Sequence, residues 1–167
     1  LQRQIAIKEY MPGSLADRED DGRVVVRTEA HQPTFRAGMR SFINEARMLA
    51  AFDHPALVRV WAFWEQNGTA YMAMPLYEGR TLKAALREAP RPSEAFLRTL
   101  LHPLLDALEL LHKSECYHRD VSPDNIMILA DGSPVLLDFG AARHIIGNMT
   151  QDVTVILKPG FAPIEQY

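Results

Sequence analysis

The sequence predicts an α+β fold, with a small sheet-plus-helix lobe followed by the start of a helical lobe. Two observations support this prediction. Short apolar runs bounded by turn residues lie at 4–7, 57–64, 69–74, 126–129 and 135–137, which is typical of strands. Apolar residues recur with helical spacing over 35–51 and 94–114. Periodicity and composition alone lead no further than this class.

The first elements are a short strand and a long polar excursion. Residues 4–7 predict a strand that ends directly before Lys8. Residues 9–34 are polar and rich in turn residues, although 24–26 form a candidate extra strand. The sequence leaves open whether this excursion is ordered or flexible. The helix over 35–51 follows it.

The remaining elements carry local start and stop signals. Glu65-Gln66-Asn67-Gly68 predicts a hairpin between the strands at 57–64 and 69–74. A short helix is expected over 81–88, and Ser93 is a plausible N-cap for the long helix over 94–114. Pro103 is expected to cost that helix a hydrogen bond. Residues 139–167 are predicted to be mostly loop.

Composition excludes several classes of protein. The chain has 167 residues, 47% of them hydrophobic and 23% charged, so it can form a packed core. Its net charge of -3 gives no reason to expect nucleic acid or an anionic membrane as a partner. The single cysteine, Cys116, rules out an internal disulfide framework and fits a cytoplasmic location. No apolar run approaches the length of a membrane span, although an anchor outside this segment is left open.

Five polar side chains suggest phosphoryl transfer from a nucleotide. That chemistry needs a carboxylate near the attacking hydroxyl group, and Asp120 can supply it. It also needs oxygen ligands for magnesium, which Asn125 and Asp138 can provide. Lys8 can supply a cation for the phosphates, and Glu45 is the obvious partner to hold its direction.

The order of these residues resembles the protein-kinase family, and most of all its bacterial Ser/Thr branch. The resemblance spans residues 4–167, and five ordered motifs make a chance match negligible. Ile5-Ala6-Ile7-Lys8 resembles V-A-I-K, and Glu45 resembles the glutamate of the helix that follows. His118–Asn125 matches H-R-D-x-x-x-x-N, and Asp138-Phe139-Gly140 matches D-F-G. Ala162-Pro163-Ile164-Glu165 resembles A-P-E with one extra residue.

The resemblance implies a two-lobe kinase-like fold that is truncated at both ends. Residues 1–79 would be a partial N-lobe with the hinge, and 80–167 a partial C-lobe with the catalytic loop and activation segment. No glycine-rich loop occurs in the chain, and the family's helical lobe continues for about a hundred residues past the A-P-E motif. Poor activity and poor stability are therefore expected of this segment alone.

The resemblance also implies roles for individual residues, with ATP and magnesium as cofactors. Asp120 would accept the proton of a Ser/Thr hydroxyl group of a protein substrate, while Asn125 and Asp138 hold Mg²⁺. Lys8, steadied by Glu45, would contact the α- and β-phosphates. Six residues would form the adenine pocket. They are Ala6, Met74, Pro75, Leu76, Tyr77 and Met127.

One departure from the family lies beside Asp120. Family members usually carry lysine two residues after the catalytic aspartate, and this chain has Ser122. They usually carry threonine one residue before the Pro-Gly that precedes A-P-E, and this chain has Lys158. The hypothesis is that Lys158 supplies the cation that is missing at Ser122. Its ammonium group would reach toward Asp120 and the γ-phosphate.

Arg119 beside Asp120 suggests control by phosphorylation of 138–165, with Thr150 and Thr154 as candidates and self-phosphorylation in trans as one route. A pseudokinase or scaffold that binds without turnover is the first alternative. A kinase-like small-molecule phosphotransferase is the second.

Overall fold

The structure is a computed structural model, and it describes residues 4–89, 91–138 and 143–144. The chain divides into two units. The first comprises Leu1–Asp53 and Arg59–Leu76, and the second comprises His54–Val58 and Tyr77–Tyr167. Both mix strands with helices, in agreement with the predicted α+β class.

The first unit is built on a three-stranded antiparallel sheet and one long helix. Its sheet has the order β1-β5-β4, and a separate hairpin is formed by β2 and β3. The elements are β1 (Ile5–Glu9), β2 (Ala16–Arg18), β3 (Val24–Val26), a 3-10 turn (Glu29–His31), α1 (Gln32–Ala50), β4 (Ala62–Gln66) and β5 (Thr69–Pro75). Pro33 at the second position of α1 fits its start, because the first helical N–H groups have no partner within the helix.

The second unit carries two helices and short strands. Its sheet has the order β6-β8-β9, and β10 pairs with β7. The elements are β6 (Gly79–Thr81), α2 (Leu82–Glu88), α3 (Glu94–Lys113), β7 (Cys116–Tyr117), β8 (Ile126–Leu129), β9 (Pro134–Leu136) and β10 (Arg143–His144). No helix among the described residues is long and apolar enough to cross a membrane.

Side-chain caps start both helices of the second unit. The Ser93 hydroxyl group accepts a hydrogen bond from the Phe96 N–H at 3.2 Å, which confirms the predicted N-cap of α3. The Thr81 hydroxyl group does the same for the Ala84 N–H at the start of α2. The buried face of α3 consists of Leu100, Leu104, Ala107 and Leu111. These spacings of three and four residues explain why periodicity identified the helix.

The polar excursion after Lys8 is ordered. Its strands β2 and β3 pair as an antiparallel hairpin, which confirms the candidate strand at 24–26. The inner side of this hairpin joins a small core with α1. The core residues are Tyr10, Met11, Leu15, Ala16, Val24, Val26, Phe35 and Met39. The excursion therefore packs against the helix that follows it.

One predicted strand is wrong in its first half. The sequence predicts a strand over 57–64, but β4 begins at Ala62. Leu57 and Val58 instead lie beside Leu136 of the second unit, where the Val58 N–H donates to the Leu136 carbonyl group at 3.0 Å. Both side chains are buried. An apolar run shows that a segment is buried but not which partner buries it.

A close backbone contact holds the β4–β5 turn against the excursion. Asn67 and Gly68 both have positive φ, at 53° and 72°, as the hairpin motif predicts. The Val24 N–H donates to the Asn67 carbonyl group at 2.8 Å. A Cβ atom added at Gly68 would lie 2.5 Å from the Val24 carbonyl oxygen. Glycine is thus required here for both conformation and space.

Gly68→Ala is expected to destabilise the fold by about 2–3 kcal/mol, because a methyl group would add a clash to the cost of positive φ. The matched control is Gly132→Ala, since Gly132 has φ +84° with nothing within 4 Å of an added Cβ. That control should cost only about 1–2 kcal/mol. Denaturant unfolding measures both. Equal losses in the two variants would mean that the Val24 contact does not constrain the turn.

Candidate active site

A partly buried ion pair joins β1 to α1 in the first unit. The Lys8 Nζ and Glu45 Oε1 atoms lie 3.1 Å apart, although the residues are 37 positions apart in sequence. The Glu45 side chain is 9% exposed and that of Lys8 is 38% exposed. A buried carboxylate is costly unless a cation compensates it, so the pair constrains α1 relative to β1. The Phe42 ring adds a cation–π contact, with its centroid 5.9 Å from Nζ.

The residues expected at the adenine pocket are distributed over both units. In the first unit, Ala6 lies directly opposite Met74 in the β1–β5 ladder, and Ile5 lies opposite Pro75. Leu76 follows β5 and is half exposed. In the second unit, Tyr77 precedes β6 and Met127 lies in β8. The structure thus brings Ala6 and Met74 together within one sheet.

His118 is a buried, neutral residue that supports the loop before Asp120. Its Nδ1 atom accepts a hydrogen bond from the Asp120 N–H at 3.3 Å, so the proton lies on Nε2, which faces the Leu137 carbonyl oxygen at 3.2 Å. Burial lowers the pKa of His118, against opposing contributions from the Leu137 carbonyl group and the carboxylates of Asp120 and Asp138. His118 therefore positions the loop and is not placed to act as a base.

Asn125 holds Asp120 through two hydrogen bonds. Its Nδ2 atom donates to the Asp120 carbonyl oxygen at 2.9 Å and to the Asp120 Oδ2 atom at 2.7 Å. The loop between them is closed by the Asn125 N–H, which donates to the Ser122 carbonyl group at 2.9 Å. Ser122 itself is buried. The carboxylate direction of Asp120 is therefore set by its own loop.

Asn125 and Asp138 lie at the same end of the β8–β9 ladder. Ile126 is opposite Leu136, and the Leu137 N–H donates to the Asn125 carbonyl group at 2.7 Å. Asn125 directly precedes β8, and Asp138 follows β9 by two residues. Asp138 and Arg119 have positive φ, at 53° and 61°, and such strain in non-glycine residues is concentrated at functional sites.

The donor set at this end suits magnesium better than a transition metal. No cluster of three or more His, Cys, Asp or Glu side chains that could hold a metal occurs within 4–89, 91–138 and 143–144. Magnesium commonly uses one or two carboxylates together with substrate phosphates. The Asn125 Nδ2 atom donates its hydrogen bond to Asp120, which leaves the Oδ1 atom of the same amide group to coordinate a metal. Asn125 and Asp138 therefore fit a magnesium ion.

No feature of the sequence predicted one charged contact at the loop around Asp120. The Lys83 Nζ atom of α2 lies 2.8 Å from the Asp124 Oδ1 atom, next to Asn125. The Lys83 N–H also donates to the Pro123 carbonyl group at 3.0 Å. No sequence signal identifies this pair, because the contact arises only when β6 aligns with β8.

Several expected residues lie outside the described part of the chain. They are Phe139, Gly140, Thr150, Thr154, Lys158 and Ala162–Glu165. The proposed exchange between Ser122 and Lys158 and the two phosphorylation candidates therefore stay predictions. The catalytic roles of the other residues also stay predictions, although the contact between Lys8 and Glu45 is present.

The buried His118 predicts a pH dependence of stability. The ordinary histidine pKa is 6.5 and burial lowers it in the folded chain, so below pH 6.5 the unfolded state binds more protons. The free energy of unfolding should then fall as the pH is lowered from about 7.5 to about 5.5. His118→Gln should weaken this dependence, whereas the exposed His112→Gln should preserve it. Identical pH slopes in all three proteins, measured by denaturant unfolding, would contradict the assignment.

Comparison with known families finds one match over most of the chain. Residues 14–163 match the protein kinase domain. The match includes the loop around Asp120 as well as Glu45.

Individual relatives agree with this match. The chain is 39% identical over 115 residues to the serine/threonine-protein kinase PknA of Nostoc sp. strain PCC 7120. It is 36% identical over 138 residues to the serine/threonine-protein kinase pkn2 of Myxococcus xanthus. These alignments cover 64% and 80% of the chain but only 20% and 16% of the relatives. A solved structure, the PpkA-294 apo form, superposes with a TM-score of 0.86 at 53% sequence identity. The superposition covers 99% of this chain and 59% of the chain in that structure.

Proposed function

Since the chain belongs to the protein kinase domain family, we propose that it transfers the γ-phosphoryl group of ATP to serine and threonine hydroxyl groups of proteins. The observation that carries the proposal is the fixed Asp120 carboxylate, whose Oδ2 atom accepts a hydrogen bond from Asn125 at 2.7 Å. The carbonyl group of Asn125 in turn accepts from the N–H of Leu137, which directly precedes Asp138. The Ser/Thr kinases among the relatives support the choice of acceptor.

Asp120 is proposed to orient the acceptor hydroxyl group and to accept its proton as the phosphoryl group is transferred. The hydrogen bond from Asn125 to Oδ2 holds the carboxylate in one direction before substrate arrives. His118, which accepts from the Asp120 N–H, fixes the backbone beneath it. This preorganisation lowers the cost of reaching a reactive geometry.

Magnesium is proposed to be held by Asn125 and Asp138, and its charge would offset the charge of the β- and γ-phosphates. Lys8 is proposed to contact the α- and β-phosphates, with Glu45 holding the ammonium group in place. Lys158 is proposed to add a cation toward the γ-phosphate, in place of the lysine that Ser122 replaces.

Adenine recognition is proposed for the same six residues that the resemblance implies. Backbone groups of Pro75, Leu76 and Tyr77 would bind the edge of the base. Ala6 and Met127 would contact its two faces, and Met74 would close the back of the pocket. The cross-strand position of Ala6 opposite Met74 supports placing these two residues in one site.

The wider setting of the reaction is also proposed. The substrate is proposed to be a protein. Self-phosphorylation in trans at Thr150 or Thr154 is also proposed, because Arg119, which precedes Asp120, suggests control by phosphorylation. A cytoplasmic location fits the single, buried cysteine. Because the chain spans a fifth or less of these two relatives, the substrate of the whole protein is part of the proposal.

A binding module without turnover is the second candidate. The observation that favours it is Ser122, which is buried at the position where the family usually has lysine. A buried hydroxyl group cannot replace an ammonium group on the transferred phosphate. This candidate predicts that the protein binds ATP and transfers nothing.

Phosphoryl transfer by the full-length protein tests the proposal. The protein is incubated with γ-labelled ATP, magnesium and a generic protein substrate such as casein, and the products are hydrolysed and separated as phosphoamino acids. Label in phosphoserine and phosphothreonine that disappears on chelation of magnesium is expected. ATP binding without label in protein would favour the binding module, and label only in an added small molecule would favour a small-molecule phosphotransferase.

A further inference from the structure

A glycine lies in the middle of α1. Gly38 lies in a helix of 19 residues, where glycine is about 1 kcal/mol less favourable than alanine. Glycine is nevertheless used where a neighbouring group approaches the backbone too closely for a side chain. Here the reason is an aromatic ring: a Cβ atom on Gly38 would lie 2.1 Å from the Tyr10 Oη atom and 2.8 Å from its Cζ atom. Tyr10 thus lies against α1 at a point where any larger residue would collide with it.

The other end of Tyr10 is fixed in the sheet. Tyr10 follows β1 directly, and its N–H donates to the Ala70 carbonyl group in β5 at 2.9 Å. The Thr69 hydroxyl group donates to the Tyr10 carbonyl oxygen. The ring also packs on Phe35 and Phe42 of α1, with centroids 5.2 Å and 6.0 Å away. Its position is therefore determined by β5 on one side and by α1 on the other.

The contact between Tyr10 and Gly38 continues to the ion pair. Tyr10 is two residues after Lys8, and Gly38 is seven residues before Glu45, which is about two helical turns. Phe42 lies between them on the same helix face, since it touches the Tyr10 ring and lies 5.9 Å from the Lys8 Nζ atom. Displacing α1 at Gly38 would therefore move Phe42 and Glu45 away from β1.

We infer that the packing of Tyr10 against Gly38 sets the separation of α1 from β1 and so keeps Glu45 within hydrogen-bond distance of Lys8. Tyr10 and Gly38 are positioning residues in this account, because they act through Glu45 and Lys8. Their effect on catalysis rests on the proposed function. Their effect on the ion pair does not.

The test compares Gly38→Ala with wild type in the full-length protein. The added methyl group is expected to lower kcat/KM for ATP by about 10- to 100-fold, because a misplacement of about 1 Å can cost about 10²-fold. It should also raise the rate at which Lys8 is acetylated by a small acylating reagent, measured by mass spectrometry relative to Lys113. The acetylation rate of Lys8 in Glu45→Gln gives the value expected when the ion pair with Glu45 is absent.

Two further variants separate positioning from general effects on α1. Ser41→Ala changes an exposed residue of the same helix and should leave both measurements unchanged. Gly38→Ala/Tyr10→Leu makes room for the methyl group, so both measurements should move back toward wild type.

The results separate the inference from the proposed function. If wild type transfers no phosphate while Gly38→Ala raises Lys8 acetylation, the proposed function fails and the positioning of the ion pair stands. If Gly38→Ala leaves Lys8 acetylation at the wild-type rate, the ring has moved aside and the inference is overturned. The inference is also overturned if kcat/KM stays as low in Gly38→Ala/Tyr10→Leu as in Gly38→Ala, because the effect would then not arise from contact with the Tyr10 ring.

Discussion

Replacing Asp120 with alanine is expected to lower kcat for phosphoryl transfer by about 10³-fold. The substitution removes the proposed proton acceptor and also the carboxylate that receives the Asn125 hydrogen bond. The Asn125 amide group would then keep only its hydrogen bond to the backbone carbonyl oxygen of residue 120, so its direction would be less fixed and magnesium binding should weaken as well. Steady-state kinetics of the full-length protein, with the magnesium concentration varied, measures both effects.

Two variants separate the role of the Asp120 carboxylate from general changes of charge. Asp120→Asn keeps the shape of the side chain and should retain ATP binding while it loses transfer. Glu109→Gln removes a carboxylate from the exposed face of α3 and should have no effect. Transfer by Asp120→Asn at the wild-type rate would show that another group accepts the proton.

Lys8→Met is expected to lower kcat/KM for ATP by about 10²-fold, because it removes the cation proposed for the α- and β-phosphates. It would also leave the Glu45 carboxylate buried without the ammonium group at 3.1 Å. Steady-state kinetics with varied ATP measures the loss. A smaller loss is expected for Glu45→Gln, since Lys8 would keep its charge but lose its direction.

The coupling between Lys8 and Glu45 distinguishes one unit from two independent groups. In the double variant Lys8→Met/Glu45→Gln, the loss should be close to that of Lys8→Met alone, because Glu45 is proposed to act through Lys8. Lys113→Met/Glu109→Gln is the matched control, since this exposed pair on α3 joins the same residue types. Independent, additive losses from Lys8→Met and Glu45→Gln would contradict the proposed coupling.

Local signals predicted much of the fold. Ser93 capped the long helix as expected, and the turn between β4 and β5 lies within the predicted connector, although Glu65 and Gln66 belong to β4. Each of these signals depends on a few adjacent backbone groups. The contact between Lys8 and Glu45 was predicted across 37 positions from a family resemblance. Spacing alone would have left Glu45 as a surface residue of α1.

The missed features depend on partners that are distant in sequence. Leu57 and Val58 read as part of β4, yet they lie beside Leu136, which no local pattern indicates. Lys83 meets Asp124 only through the pairing of β6 with β8. The excursion over 9–34 read as either ordered or flexible, because its few apolar residues become a core only when α1 supplies Phe35 and Met39.

Gly38 shows a signal that was present in the sequence and could have been read. A glycine inside an amphipathic helix contradicts helix propensity, and such conflicts often mark a close approach. The sequence did not indicate what approaches. That required the position of Tyr10, which follows from the pairing of β1 with β5.

The roles proposed for Lys8, Glu45, Asp120, Asn125 and Asp138 in phosphoryl transfer have one direct test. It measures magnesium-ATP binding and protein phosphorylation side by side, for full-length wild type and Asp120→Asn. Similar ATP affinity is expected in both proteins, with phosphoserine or phosphothreonine formed by wild type alone. Wild-type protein that binds ATP and phosphorylates neither itself nor an added protein would contradict it.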